Sequence, residues 1–244
     1  MTNDITDRLA RGGGMFALCA ILCSLFALGP ASARLPEYEE PIRAVYLIRH
    51  GEYDQEDERD PDVGRALVGL GYAQARLVAA RLVASGTAFT SIQASTMTRA
   101  RQTGEVVAAC LPGLELELHR DIRECTPTTR RADIMEREDP AEVAECEATL
   151  AAAWARIFTP AGDADAHDVV VCHGNVIRWF VTRALEVDPE AWLGMSIANC
   201  SLTVIQVKPD GACKLVAFAD AGHIPSHMQT YPGTTIEGAD NVDW

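Results

Sequence analysis

A surplus of positive charge is missing from this chain. Its 244 residues carry 21 Lys and Arg against 35 Asp and Glu, a net charge of −14. The phosphate backbone of a nucleic acid would be repelled, so that class of partner is excluded. Metal-type cysteine spacing is missing too. Of eight cysteines, two lie in an apolar run near the amino terminus and the other six show no C-x-x-C pattern, which argues against a cysteine-held metal. Buried thiols are the expectation for a domain facing a reducing compartment, and disulfides belong to the case in which the domain is exported. No repeat of roughly 20 to 50 residues recurs, which excludes solenoids and propellers. Beyond an alanine bias there is no low-complexity block. Nor is there an uninterrupted apolar stretch of about 20 residues, the length that spans a bilayer.

The longest apolar run is "MFALCAILCSLFAL", residues 15–28, broken only by Ser24. Its length suits the apolar region of a signal peptide, and "ASA", ending at Ala33, offers an A-x-A cleavage pattern. The preceding region is weakly charged, because Asp4 and Asp7 offset Arg8 and Arg11. Three readings stay open: a cleaved export signal, an uncleaved membrane anchor, or a start at Met15. Pro30 and the polar linker "RLPEYEEP" set the segment apart from the domain, so a core helix is disfavoured and membrane targeting through residues 15–28 is expected.

From Ile42 onward, strand-like and helix-like segments alternate. "AVYLI" (44–48), "FTSIQAS" (89–95), the alternating "LELELH" (114–119) and the continuously apolar "DVVVCH" (168–173) read as strands. Helical periodicity covers 71–86, 98–113, 139–158 and 175–187. Residues 201–220 read as a β-hairpin with "PDG" at its turn. Strands joined through helices require crossovers, so one three-layer α/β domain is predicted, a mainly parallel sheet with helices on both faces. The 244 residues suffice for one such domain.

In a parallel sheet, ligands bind beyond the carboxyl ends of the strands. "YLIRHG" delivers Arg49, His50 and Gly51 there, and "VVVCHG" delivers His173 and Gly174. Arg99 and Arg101 follow the strand "SIQAS" at a helix entrance, where helix amino termini and guanidinium groups both favour anions. Two histidines with several arginines at one sheet edge describe a phosphoryl pocket. The acidic stretch after His50 is less transparent. Seven acids lie between Glu52 and Asp62, fitting either a solvated loop or a filter that repels polyanions and admits phosphopeptides with basic flanks.

"LIRHGEY", "LVGLGYAQA", "ASTMTRARQT" and "VVCHGNVIRWFVTRAL" together resemble the histidine phosphatase superfamily, with its phosphoglycerate mutase-like fold, over about residues 43–225. "IRECTP", "DAGHIP" and the preceding apolar segment make the mitochondrial membrane-anchored serine/threonine phosphatase branch the most similar. The expected organisation is a targeting segment 1–33, a linker 34–42, a phosphatase domain 43–228 and an acidic tail 229–244. The resemblance implies His50 as the nucleophile, with Arg49, Arg99 and His173 holding phosphoryl oxygens and Glu124 as proton donor. Asn175 and Gly51 would help bind substrate, and His223 is a weaker candidate near the pocket. No metal and no cofactor are expected. The expected partner is a phosphoprotein or a small phosphorylated substrate. Location at a membrane, the mitochondrial outer membrane in particular, and export after cleavage near Ala33 both stay open, as does a homo-oligomer.

Two other functions compete. A mutase would carry a longer insertion than the 48 residues between Glu124 and His173, and no "ERxYG"-like segment occurs. A membrane-anchored adaptor would be expected to have lost a core residue, yet Arg49, His50, Arg99, Glu124 and His173 are all present. The chain also departs from the family pattern: Val68 replaces the threonine of "LTxxG", Met97 stands in the "SxLxR" motif, and Cys125 and Thr126 come directly after the acid. Arg130 and Arg131 add cations on the loop beyond.

Overall fold

The computed structural model describes residues 40–231. The apolar run 15–28, Ala33, most of the linker and nearly all of the tail lie outside them. The first strand, β1 (Arg43–Arg49), is apolar between its terminal arginines because both of its faces are covered. Val45 and Leu47 enter one core cluster, whereas Ala44, Tyr46 and Ile48 enter the other. Helix α1 (Gly69–Ala84), strand β2 (Ser91–Ser95), helix α2 (Thr98–Ala108) and strand β3 (Leu116–His119) come next. A single turn, α3 (Ala132–Met135), precedes α4 (Pro140–Ile157), β4 (Ala166–Cys172) and α5 (Gly174–Ala184). The chain returns through β5 (Leu202–Val207) and β6 (Cys213–Asp220).

The six-stranded sheet runs β3-β2-β4-β1-β5-β6. Its first four strands are parallel, and the closing hairpin is antiparallel. Helices α1 and α2 cover one face through Ala75, Val78, Leu82, Ala100 and Val107. Helices α4 and α5 cover the other through Leu150, Ile157, Ile177 and Phe180. This is the expected three-layer, mainly parallel α/β architecture.

Three local differences from the expectation have physical causes. Helix α2 stops at Ala108, and the chain turns through Gly113 at φ +90°, a conformation glycine adopts freely. The alternating acidic strand shortens to β3, four residues at a half-exposed edge. Cys125 and Cys146 form a disulfide rather than remaining buried thiols, because the loop after β3 packs on α4 with their Cα atoms 5.8 Å apart, within bridging range. Among the described residues Cys110, Cys172, Cys200 and Cys213 are free.

Candidate active site

Strands β1 and β4 are parallel neighbours with Arg49 opposite Cys172, so the residues just past each strand emerge side by side. The His50 amide donates to the Cys172 carbonyl at 3.0 Å, and the His50 and His173 ring centroids lie 5.1 Å apart. Directly after His50 the chain crosses the start of α1. A Cβ on Gly51 would sit 2.6 Å from the Gly71 carbonyl oxygen, and one on Gly71 would sit 1.9 Å from the Glu52 carbonyl oxygen. Both glycines are required by this backbone crossing. The Gly51 amide donates to Thr103 Oγ1 at 3.0 Å, so it faces the protein.

His50 is held at both ring nitrogens. Its Nδ1 is 2.8 Å from the Gly51 carbonyl oxygen, and an acceptor there fixes the proton on Nδ1. Nε2 therefore carries the lone pair, and it accepts from Arg99 Nε at 3.1 Å. Burial, followed by the Arg99 and Arg49 charges, pushes the His50 pKa well below the ordinary imidazole value. Tyr53 lies edge-on to the His50 ring at 5.2 Å, and the Arg99 guanidinium sits 4.8 Å over the tyrosine face. Asn199 Nδ2 fixes the His50 carbonyl from behind at 2.8 Å.

Arg49 and Arg99 are buried, and burial lowers both pKa values, while the nearby Glu124 charge favours their charged forms. Arg49 Nη1 donates to the Ile197 carbonyl. Arg99 Nη1 is buried without a hydrogen-bond partner. His173 is fully buried at the head of α5, with Nε2 2.8 Å from Ser95 Oγ and Nδ1 3.6 Å from Glu124 Oε2. Burial, then His50 and the two arginines, depresses its pKa well below the usual range.

Glu124 lies just past a 3₁₀ turn anchored by the buried Ile122. Its Oε1 accepts from the Asn175 amide at 3.1 Å, an acid placed at the first turn of a helix. Burial raises its pKa above the ordinary carboxylate value against the pull of Arg49, the Asn175 amide, Arg99 and Arg178. Asn175 Nδ2 also donates to the Cys125 carbonyl at 3.0 Å, and its Oδ1 accepts from Arg178 at 3.2 Å. The pocket therefore brings together Arg49, His50, Arg99, Glu124, His173 and Asn175.

Other residues marked by the sequence lie elsewhere. Arg101 pairs with Glu105 along the outside of α2, Arg131 with Asp133, and Arg130 with Asp188. His223 sits 3.0 Å from the Cys200 carbonyl oxygen and 3.0 Å from Arg81 Nη1, where it braces the β6 end of the sheet. Within the acidic stretch Asp57 binds Arg59 and the Arg65 amide, and Asp62 pairs with Arg123, the neighbour of Glu124. Asp54, Glu56, Glu58 and Asp60 are exposed. A separate cavity of about 460 Å³, lined by Trp154, Trp179 and Arg183 among others, opens at the far end of α5 and contains none of the pocket residues. Ser95, Tyr53 and Arg178 belong to the site although sequence reasoning passed over them. Only their positions next to "RHG", "TRA" and "HGN" hinted at it. Among the described residues no three His, Cys, Asp or Glu side chains converge as a metal-ligand group.

Two histidines and two arginines gathered with a carboxyl group at the carboxyl edge of a parallel sheet define an α/β anion-binding site suited to phosphoryl chemistry. The chain belongs to the histidine phosphatase superfamily (branch 1), which it matches over residues 45–221. It is 34% identical over 186 residues to the mitochondrial serine/threonine-protein phosphatase PGAM5 of Xenopus tropicalis, covering 75% of this chain and 66% of that protein. It is 37% identical over 195 residues to the mitochondrial serine/threonine-protein phosphatase Pgam5 of Caenorhabditis elegans, covering 78% and 66%. The chain thus spans just under two thirds of the length of these curated relatives. Among solved structures, Bacillus stearothermophilus YhfR aligns with a TM-score of 0.59 at 19% identity over 75% of this chain and 100% of its own. A phosphoglycerate mutase from Plasmodium falciparum aligns with a TM-score of 0.53 at 24% identity over 77% and 96%. Both share the fold.

Proposed function

We propose that this chain is a phosphomonoester hydrolase working through a phosphohistidine on His50, with phosphoserine and phosphothreonine proteins as substrates. The observation that carries the reading is the orientation of His50. Its Nδ1 proton is tied to the Gly51 carbonyl, and its Nε2 lone pair faces the arginines. That is the state an imidazole must hold to attack phosphorus. As the phosphoryl group enters, Arg99 moves its donors from Nε2 to the phosphoryl oxygens, joined by Arg49 and His173. Fixed donors of this kind stabilise the charge that builds on the equatorial oxygens.

Glu124, whose pKa burial raises, acts in its protonated form and gives its proton to the departing seryl or threonyl oxygen as the phosphorus–nitrogen bond forms. The resulting carboxylate then takes a proton from water, which attacks phosphorus and frees His50 and inorganic phosphate. Every charge and proton in this cycle is handled by side chains of this chain, so the reaction runs without a metal. Between Glu124 and His173 lie only α3, α4 and β4 with their connections. This short segment supports hydrolysis over mutase chemistry, which has to shield the phosphoenzyme from water.

The mitochondrial names of the relatives support a mitochondrial location. Membrane anchoring would rest on residues 15–28, since among the described residues no helix is long and apolar enough to cross a bilayer. The test is phosphate release by the purified chain from phosphoserine peptides, phosphotyrosine peptides and phosphoglycerates. Turnover of phosphoserine peptides that vanishes in His50→Ala is the expected result. Activity surviving in that variant overturns the mechanism, and a preference for phosphoglycerates overturns the substrate class.

A further inference from the structure

The strongest unassigned feature of the pocket is the hydroxyl of Ser95. It lies at the carboxyl end of β2, fully buried, 2.8 Å from His173 Nε2. Its other partner is the Met97 amide, which donates to Ser95 Oγ at 3.3 Å. A hydroxyl has one proton to give and two lone pairs to receive. Among the described residues the amide already uses a lone pair, and the one acceptor in reach of the hydroxyl proton is His173 Nε2. A proton on Nε2 would crowd two N–H donors onto one buried oxygen and leave the hydroxyl proton unmatched, an arrangement interiors avoid.

We infer that Ser95 is a positioning residue that locks His173 as the Nδ1–H tautomer. Ser95 donates to Nε2, and the Nδ1 proton is thereby directed into the pocket. The far side of the ring agrees independently. Nδ1 is buried with no hydrogen-bond partner, at 3.6 Å from Glu124 Oε2. During turnover a bare lone pair there would face the phosphoryl oxygens, whereas an N–H is attractive to them. This also removes the need for a charged His173. The neutral ring supplies a donor, which suits a site where burial and its cationic neighbours hold the imidazole unprotonated. The β2 end thus controls a residue just past β4 through one hydroxyl.

The catalytic consequence rests on the phosphatase reading, but the tautomer does not. The test is two-dimensional ¹H–¹⁵N NMR of the histidine ring nitrogens in the full chain, with wild type and Ser95→Ala compared, alongside turnover and the thermal midpoint. Wild type is expected to give a protonated Nδ1 and an unprotonated Nε2 at His173. In Ser95→Ala the ring signals should move toward the Nε2–H form or a mixture, while His50 keeps its pattern. Turnover should drop about 10- to 100-fold, as when other ring-orienting partners are removed, mainly in kcat. A wild-type His173 protonated at Nε2 overturns the inference even if the variant does not fold, and so does an unchanged His173 pattern in Ser95→Ala. A correct tautomer in a chain without phosphatase activity leaves the inference standing and defeats the functional reading instead.

Discussion

At the scale of single residues, the site separates three titratable groups by what surrounds each. His50 and His173 are held neutral by burial and by the adjacent arginines, whereas burial moves Glu124 toward its protonated form. A neutral nucleophile beside a protonated acid is the combination that phosphoryl transfer from an alkyl ester needs. The acid matters most when the leaving group is poor. Glu124→Gln should therefore cost about 100- to 10,000-fold on phosphoserine peptides. The loss should be clearly smaller on phosphotyrosine peptides, whose phenolate (pKa about 10) departs with less help. Equal losses in kcat/KM for the two peptides would remove Glu124 from the donor role. The depressed His50 pKa adds a second expectation. With the substrate's own second ionisation corrected for, kcat/KM should show no decline from pH 7 to 6, and a decline centred at or above about 6.5 would mean an unperturbed imidazole. Arg49, His50, Arg99, Glu124 and His173 could be named from the sequence because strand ends and motif resemblance mark them. Ser95, Tyr53 and Arg178 could not, because each acts on a neighbour supplied by a distant segment: Ser95 reaches His173, Tyr53 takes the Arg99 guanidinium on its ring face, and the Arg178 charge acts on Glu124.

At the scale of elements, the sequence made helices and strands legible through period and punctuation, and the exceptions lie at their ends. Helix α4 starts where Asp139 caps the Ala141 amide ahead of Pro140, a signature visible in the chain. Helix α1 has no such cap: its N-cap is Val68, 36% exposed, without a side-chain hydrogen bond. The family pattern carries threonine at this position, and a threonine hydroxyl could accept one of the orphan amides of the first turn. Val68→Thr should raise the unfolding free energy by about 1 kcal/mol, read as a higher denaturant midpoint at unchanged slope; no gain would mean the first-turn amides already have solvent partners. The Cys125–Cys146 link is the opposite case, a constraint that spacing alone concealed. It ties the loop just after Glu124 to α4 across a sequence separation of 21, a closure worth about 3 kcal/mol through the unfolded chain. Cys146→Ser should lower stability by roughly that amount more under oxidising conditions than in reductant. A loss that persists equally in reductant would assign the effect to packing at Cys146, which is buried against the α4 core.

At the scale of the whole molecule, the balance of charge argues against a nucleic-acid partner but says nothing of how the fold responds to acid; burial decides that. His50, His173, His167 and His223 all have pKa values held below the ordinary imidazole value, with burial the leading cause in each. In the unfolded chain these rings take up protons near pH 6.5. In the native protein they do so only at lower pH, so the folded state binds fewer protons across that window and loses stability as pH falls through it. For the two buried site histidines the slope approaches about 1.4 kcal/mol per pH unit each. Glu124 works the other way, because its raised pKa makes the native state the better proton acceptor above the usual carboxylate range. One carboxyl group cannot offset several imidazoles. Asp57 and Asp220, whose pKa values are lowered by Arg59 and Arg81 respectively, withdraw their stabilisation only below about pH 4. Denaturant unfolding at constant ionic strength should therefore show a midpoint that declines from pH 7 to pH 5. Replacing His173 by Gln should flatten part of that decline, since glutamine takes up no proton in either state. A midpoint flat across the window would mean that the native histidines protonate as readily as free ones, and burial would then no longer guarantee a lone pair on His50 at neutral pH.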